Sequence, residues 1–159
     1  MPRYFSTKTY GNERGLSCCF RQHKAEHSHC SKLHGYSLGF RIVFEADELD
    51  DKNWVQDFGG LDDILDYLKE NFDHTLAVAE DDPELDAINT FAAKVANVKV
   101  VPAVGCEAFA HQVYEHVEDW LKHLPDNKYK NMMGDEYPRV KLKSVECFEH
   151  AGNSATYGD

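Results

Sequence analysis

Long apolar runs are missing from this chain. Nothing in its 159 residues approaches the roughly 20 apolar positions that a helix needs to cross a bilayer, so no membrane partner is expected. The first stretch, "MPRYFSTKTYGNERG", lacks the apolar segment of a secretory signal, and no such leader is expected. Basic clusters are equally scarce. Lysine and arginine number 17 against 28 aspartates and glutamates, a net charge of -11 with histidine neutral. That balance excludes nucleic acid as a main partner and leaves an anionic small molecule possible only through a local basic pocket. Cysteine is sparse, odd in number and irregularly spaced, at positions 18, 19, 30, 106 and 147. This argues against a disulfide framework and for a reducing cytoplasm. Internal repeats and low-complexity linkers are also missing, so one domain over residues 1–159 is expected.

Histidine, by contrast, is plentiful, with nine residues. Five fall at positions 23, 27, 29, 34 and 74, and the clustering between 23 and 34 raises the question of a metal. Within "HCSKLHGY", residues 29–36, Cys30 lies beside histidines, a setting that favours a thiolate able to act as nucleophile or acid–base group. A small apolar residue near a turn is the alternative reading of the same cysteine.

The pattern of elements is legible along the chain. Residues 16–24 read as a strand. Over 34–46 the even positions His34, Tyr36, Leu38, Phe40, Ile42, Phe44 and Ala46 share one face, a period-two strand that points His34 and Tyr36 toward the core. "LDDKNWVQDFGG" breaks that strand, with Asp57 suited to cap a helix starting near Gly60. Leu61, Ile64, Leu65, Leu68 and Phe72 carry the three-four spacing of that helix. Residues 81–96 predict a second helix with Pro83 in its first turn, followed by the short apolar stretch 98–104. Phe109, Val113, Val117, Trp120, Leu121 and Leu124 predict a third. Residues 125–138 read as a polar loop, 139–150 as a strand, and the tail as a last strand or a cover over a site. Two strands, then helices, then strands suggest an α+β fold, an antiparallel sheet with helices packed on one face.

Three further features carry possible chemistry. Asp73 precedes His74, and a carboxylate beside an imidazole can tune its proton, although a solvated helix end has the same composition. Glu107 follows Gly105 at a helix start, where the dipole favours a carboxylate. Glu146 and Glu149 have opposite parity in the last strand, so one of them faces the core or a pocket. A buried carboxylate needs paired donors, and the edge of a pterin or guanine offers two in parallel.

Taken in order, these pieces resemble the 6-pyruvoyltetrahydropterin synthase and 6-carboxytetrahydropterin synthase family. That family has a cysteine, three residues and His-Gly-His, against Cys30, "SKL", His34, Gly35 and Tyr36 here. Asp57-Phe58, Asp73-His74, Glu107, and Glu149 eight residues before Tyr157 follow in the family's order. The resemblance implies a tunnelling fold (T-fold) assembled as a trimer or hexamer, with active sites at subunit interfaces. It implies Cys30, Asp73 and His74 as proton-transfer groups, and Glu149 with Glu107 as anchors of a small-molecule pterin. A zinc held by three histidines would polarise the substrate's side-chain hydroxyls. With Tyr36 in place of one histidine, the ligand set expected here is His23, His29 and His34; the alternative is solvated histidines around a packed Tyr36. The activity implied is 6-carboxy-5,6,7,8-tetrahydropterin synthesis from 7,8-dihydroneopterin triphosphate, toward 7-deazaguanines such as queuosine. A 6-pyruvoyltetrahydropterin synthase, or a pterin- or purine-binding module without metal chemistry, is the alternative.

Overall fold

The computed structural model describes residues 1–124 and 139–159, so the expected loop over 125–138 lies outside the described residues. Its organising strand is β3 (His34–Ala46). Leu38, Phe40, Ile42 and Phe44 are fully buried on one face, as the alternation predicts. Antiparallel partners line both edges of β3. β2 (Leu16–Phe20) pairs with its first half and β1 (Tyr4–Tyr10) with its second, while β6 (Lys141–His150) runs along the other side and carries β7 (Asn153–Gly158). β2 stops at Phe20, short of the predicted end at 24, because its partner β3 begins at His34, directly opposite.

The sheet is mixed where the sequence suggested antiparallel pairing throughout. β4 (Thr75–Ala79) lies parallel to β2, and β5 (Asn97–Val101) lies parallel to β4. β4 is the continuous apolar run typical of a parallel strand covered on both faces. Ala77 and Ala79 join the main core. Leu76 and Val78 pack instead with Leu85, Ile88 and Ala92 of α2 (Leu85–Ala92), which puts α2 on the opposite face from the other two helices. Pro83 precedes α2, inside a turn closed by the Leu85 N–H on the Asp82 carbonyl at 3.0 Å.

The main layer consists of α1 (Asp62–Phe72) and α3 (Cys106–Lys122). Ile64, Leu68 and Phe72 of α1 meet Phe109, Val113 and Val117 of α3 in one core. Two polar links join the helices farther out. The Trp120 indole donates to Asp63 at 3.0 Å, and Tyr67 stacks on His116 with ring centres 3.5 Å apart. Asp57 caps the short turn before α1, accepting the Gly59 N–H at 2.8 Å.

Candidate functional site: a cavity where strand ends meet a helix start

Five elements begin or end at the same place. Phe20 closes β2 opposite His34, which opens β3. β6 ends beyond Phe148, paired with Gly39, and β7 returns from Asn153. α3 begins at Cys106. Between them lies an open cavity of about 210 Å³, lined among others by Gln22, Cys30, His34, Cys106, Glu107 and Glu149.

Each lining group is held by local structure. The Cys30 thiol is exposed, but its backbone is clamped. Its carbonyl accepts the Gln22 N–H at 2.7 Å, and its own N–H donates to the Ser28 hydroxyl at 3.2 Å. The next residue, Ser31, offers its carbonyl to Arg21 at 3.2 Å, while Arg21 grips Asp82 in a fork at 2.6 and 2.9 Å. That guanidinium holds the Asp82 carboxyl below the usual carboxylate range. The cysteine loop is thereby tied to the β4–α2 connection.

His34 is aimed by its own turn. Its Nδ1 lies 2.7 Å from the Lys32 carbonyl. A carbonyl only accepts, so Nδ1 carries the hydrogen and Nε2 keeps its lone pair. Phe20 and Tyr36 flank the ring at 5.0 and 5.4 Å between centres. Gly105 turns the chain into α3 with φ +106; a side chain there would be strained and would meet the Gln22 amide. That amide donates to the Val104 carbonyl, so β2 and the start of α3 are bound across the cavity floor.

Glu149 extends the face of β6 on which Cys147 is fully buried, and it reaches the cavity. Glu146, of opposite parity, is engaged elsewhere, bound to Arg41 at 2.9 Å and to the Ser154 hydroxyl at 2.6 Å. Burial, followed by the Glu149 charge, pushes the Tyr36 phenol's pKa up. The Cys106 and Cys147 thiols interact: Cys147 lowers the Cys106 thiol against burial and the charges of Glu149 and Glu107, and the Cys147 thiol is raised well above its ordinary value.

The structure thus brings Cys30, His34, Glu107 and Glu149 together and leaves other predicted groups apart. The three histidines expected to bind zinc are not gathered. His23 turns Nε2 toward Asp81 at 3.6 Å, with its buried Nδ1 unpartnered among the described residues. His29 is exposed on the turn beside Cys30. Among the described residues no group of three or more His, Cys, Asp or Glu is arranged to hold a metal. The His23, His29 and His34 set therefore does not fit a zinc within this chain, and the chemistry argued below uses protein groups only. The reason is local: β2 ends before His23, so nothing carries that ring alongside His34.

Asp73 and His74 also lie outside the cavity lining. They form their own pair at the start of β4, with His74 Nδ1 2.7 Å from Asp73, φ +54 at His74 and an imidazole 85% exposed. Sequence reasoning missed Gln22 and Cys106. Cys106 carried a weak signal, lying between Gly105 and Glu107, while Gln22 carried none.

A mixed sheet layered with helices, its strand ends converging on thiol and carboxylate groups, is the T-fold arrangement. Solved structures agree over nearly the whole length. An uncharacterized protein of Wolinella succinogenes superposes with a TM-score of 0.75 at 19% identity, covering 100% of this chain and 99% of that one. The 6-pyruvoyl tetrahydropterin synthase of Caenorhabditis elegans gives 0.57 at 18% identity, covering 100% and 97%. At these identities the likeness establishes the fold. The family follows from the sequence itself: residues 11–159 match the 6-pyruvoyl tetrahydropterin synthase family, and the chain belongs to it. Among its relatives is a protein of Aquifex aeolicus named 6-carboxy-5,6,7,8-tetrahydropterin synthase, 27% identical over 131 residues, 80% of this chain and 75% of that protein. One of the same name from Rickettsia felis is 37% identical over 57 residues, 35% of this chain and 41% of that protein.

Proposed function

We propose that this chain is a 6-carboxy-5,6,7,8-tetrahydropterin synthase, a lyase of the cytoplasm acting on 7,8-dihydroneopterin triphosphate in 7-deazaguanine and queuosine synthesis. The observation that carries the reading is the convergence of Cys30, His34, Glu107 and Glu149 on one cavity. The name of the Aquifex relative supports this product over 6-pyruvoyltetrahydropterin.

Roles follow from the donors and acceptors. Glu149 accepts the two parallel N–H groups of the pterin's pyrimidine edge, the geometry in which a carboxylate binds most strongly. Glu107 stands at the mouth of the same cavity. Cys30, on a clamped loop with a free thiol, transfers a proton at the substrate's side chain. His34 keeps an Nε2 lone pair for a side-chain hydroxyl. Asp73 and His74 form an acid–base pair with Nε2 facing outward. As they lie outside the cavity, they serve a cavity of a neighbouring subunit in a trimer or hexamer.

A pterin-binding module without turnover is the second reading, favoured by Tyr36 standing where the family pattern has a histidine. Incubating the full chain with 7,8-dihydroneopterin triphosphate and identifying products by mass spectrometry separates the readings. A 6-carboxytetrahydropterin product supports the proposal, and a 6-pyruvoyl product replaces it. Binding without turnover supports the module.

A further inference from the structure

Glu149 is a residue that the sheet leaves over. The pairing of β3 with β6 stops at Gly39 and Phe148. On the other edge of β6, Phe148 pairs with Ser154 and His150 with Asn153, so Glu149 falls between them as a bulge. Bulges leave one residue unpaired and re-aim its side chain, often beside a site. The carboxylate that lines the cavity therefore stands on backbone that neither neighbouring strand holds in register.

Asn12 supplies the missing hold, from the short turn Asn12–Arg14 between β1 and β2. Its Nδ2 lies 2.6 Å from the Ser37 carbonyl, 3.1 Å from that of Glu149 and 3.2 Å from that of Phe148. A carboxamide nitrogen has two hydrogens, so one serves β3 and the other is shared by the two carbonyls at the bulge. Asn12 is itself fixed, since its carbonyl accepts the Ser37 hydroxyl at 2.9 Å and the Gly15 N–H at 3.1 Å. One side chain thus ties β3 to β6 beyond their last paired residues.

We propose that Asn12 is a positioning residue for ring recognition: its carboxamide clamps the bulge at Glu149 and so fixes how the carboxylate enters the cavity. The inference rests on the pterin reading above and deepens it by adding a residue that governs specificity. A carboxylate must meet two parallel N–H groups at once to bind in the bidentate way. A shift of its backbone therefore costs that pairing more than it costs general contact with the ring. Asn12 is not among the groups lining the cavity, so its effect passes through Glu149.

The test compares the affinities of the full chain for pterin and lumazine, read by quenching of ligand fluorescence. Lumazine is the same bicycle with a carbonyl in place of the 2-amino group, so it lacks one N–H of the pair. The wild-type chain should prefer pterin. Asn12→Ala should cut that preference by about threefold to tenfold, the size of one lost hydrogen bond. Asn12→Ser keeps a residue suited to turns but is too short to span both strands, and it should act in the same direction. Glu149→Ala should abolish the preference, and adding Asn12→Ser to it should change the ratio no further. A folded Asn12 variant with the wild-type preference, even at a lowered thermal midpoint, would show a structural role only and overturn the inference. So would a further change of the ratio in the double variant. A wild-type chain that binds neither ring, or both equally, would overturn the pterin reading and this inference with it.

Discussion

Two regions of this molecule hold the candidate acid–base groups, and they are built in opposite ways. The cavity at the strand ends is assembled from segments far apart in sequence, with Cys30 on the turn His29–Ser31, His34 on β3, Glu107 on α3 and Glu149 on β6. The Asp73–His74 pair is made by two adjacent residues, stands on the surface and uses a left-handed backbone at His74. A non-glycine residue with positive φ costs free energy and persists where its surroundings demand it. The cavity gathers a thiol, an imidazole and two carboxylates, while Asp73 and His74 stand outside it. On the proposal that Asp73 and His74 serve a neighbouring subunit's cavity, a complete site would take parts from two copies of the chain.

The largest effect expected is at Cys30. Cys30→Ala should cut turnover by roughly 100- to 10,000-fold, the loss typical of an acid–base group, with pterin affinity nearly intact. Near wild-type turnover would remove Cys30 from the chemistry. The comparison itself is broken or kept by the next experiment. His74→Ala should lower turnover about 100-fold. Mixing it with Cys30→Ala under conditions that exchange subunits should recover activity, since some cavities then receive both intact halves. No recovery, with exchange verified, would place the pair and the cavity in separate roles.

Within the cavity, Glu149→Gln should weaken pterin binding by about 1.5–3 kcal/mol, the contribution of hydrogen bonds to a charged group. Glu146→Gln, already engaged by Arg41 and Ser154, should bind as the wild type does. Equal affinities would contradict the parity argument. The smallest effect belongs to the core behind both regions. Burial pushes the Tyr10 phenol up to about 12, against about 10 in an unfolded chain. With the folded value raised, its contribution is complete below about pH 10 and lost as pH rises toward 12. Tyr10→Phe should flatten the alkaline decline by up to about 2 kcal/mol and forfeit the bond to the Leu61 carbonyl. Urea midpoints at pH 8 and pH 11 test this; an unchanged alkaline slope would assign the decline to other groups.

Much of this architecture is legible in the chain, for a physical reason that also marks the limit. β3 shows itself because one face is buried and the other is not. α1 and α3 show themselves because each buries a single stripe, Ile64–Leu68–Phe72 in the first and Phe109–Val113–Val117 in the second. β1 escapes notice because all its residues but Tyr10 are at least partly exposed, and pairing with β3 alone makes it a strand. β4 escapes because a strand covered on both faces has no alternation to read. Cys30, Glu107 and Glu149 line one cavity, and among the described residues the three-histidine set is not gathered.

The sequence by itself determined the alternating and helical faces, and with them the core, since burial of apolar side chains acts residue by residue. It also determined that Glu146 and Glu149 point to opposite faces, because successive strand side chains do, while the structure decided which of them reaches the cavity. Only the tertiary structure decided which groups share a cavity. That choice depends on strand register and on where each element stops. β2 ending at Phe20 leaves His23 facing Asp81. The pairing of β3 with β6 brings His34 and Glu149, 115 positions apart in the chain, to one cavity, a distance no local pattern spans.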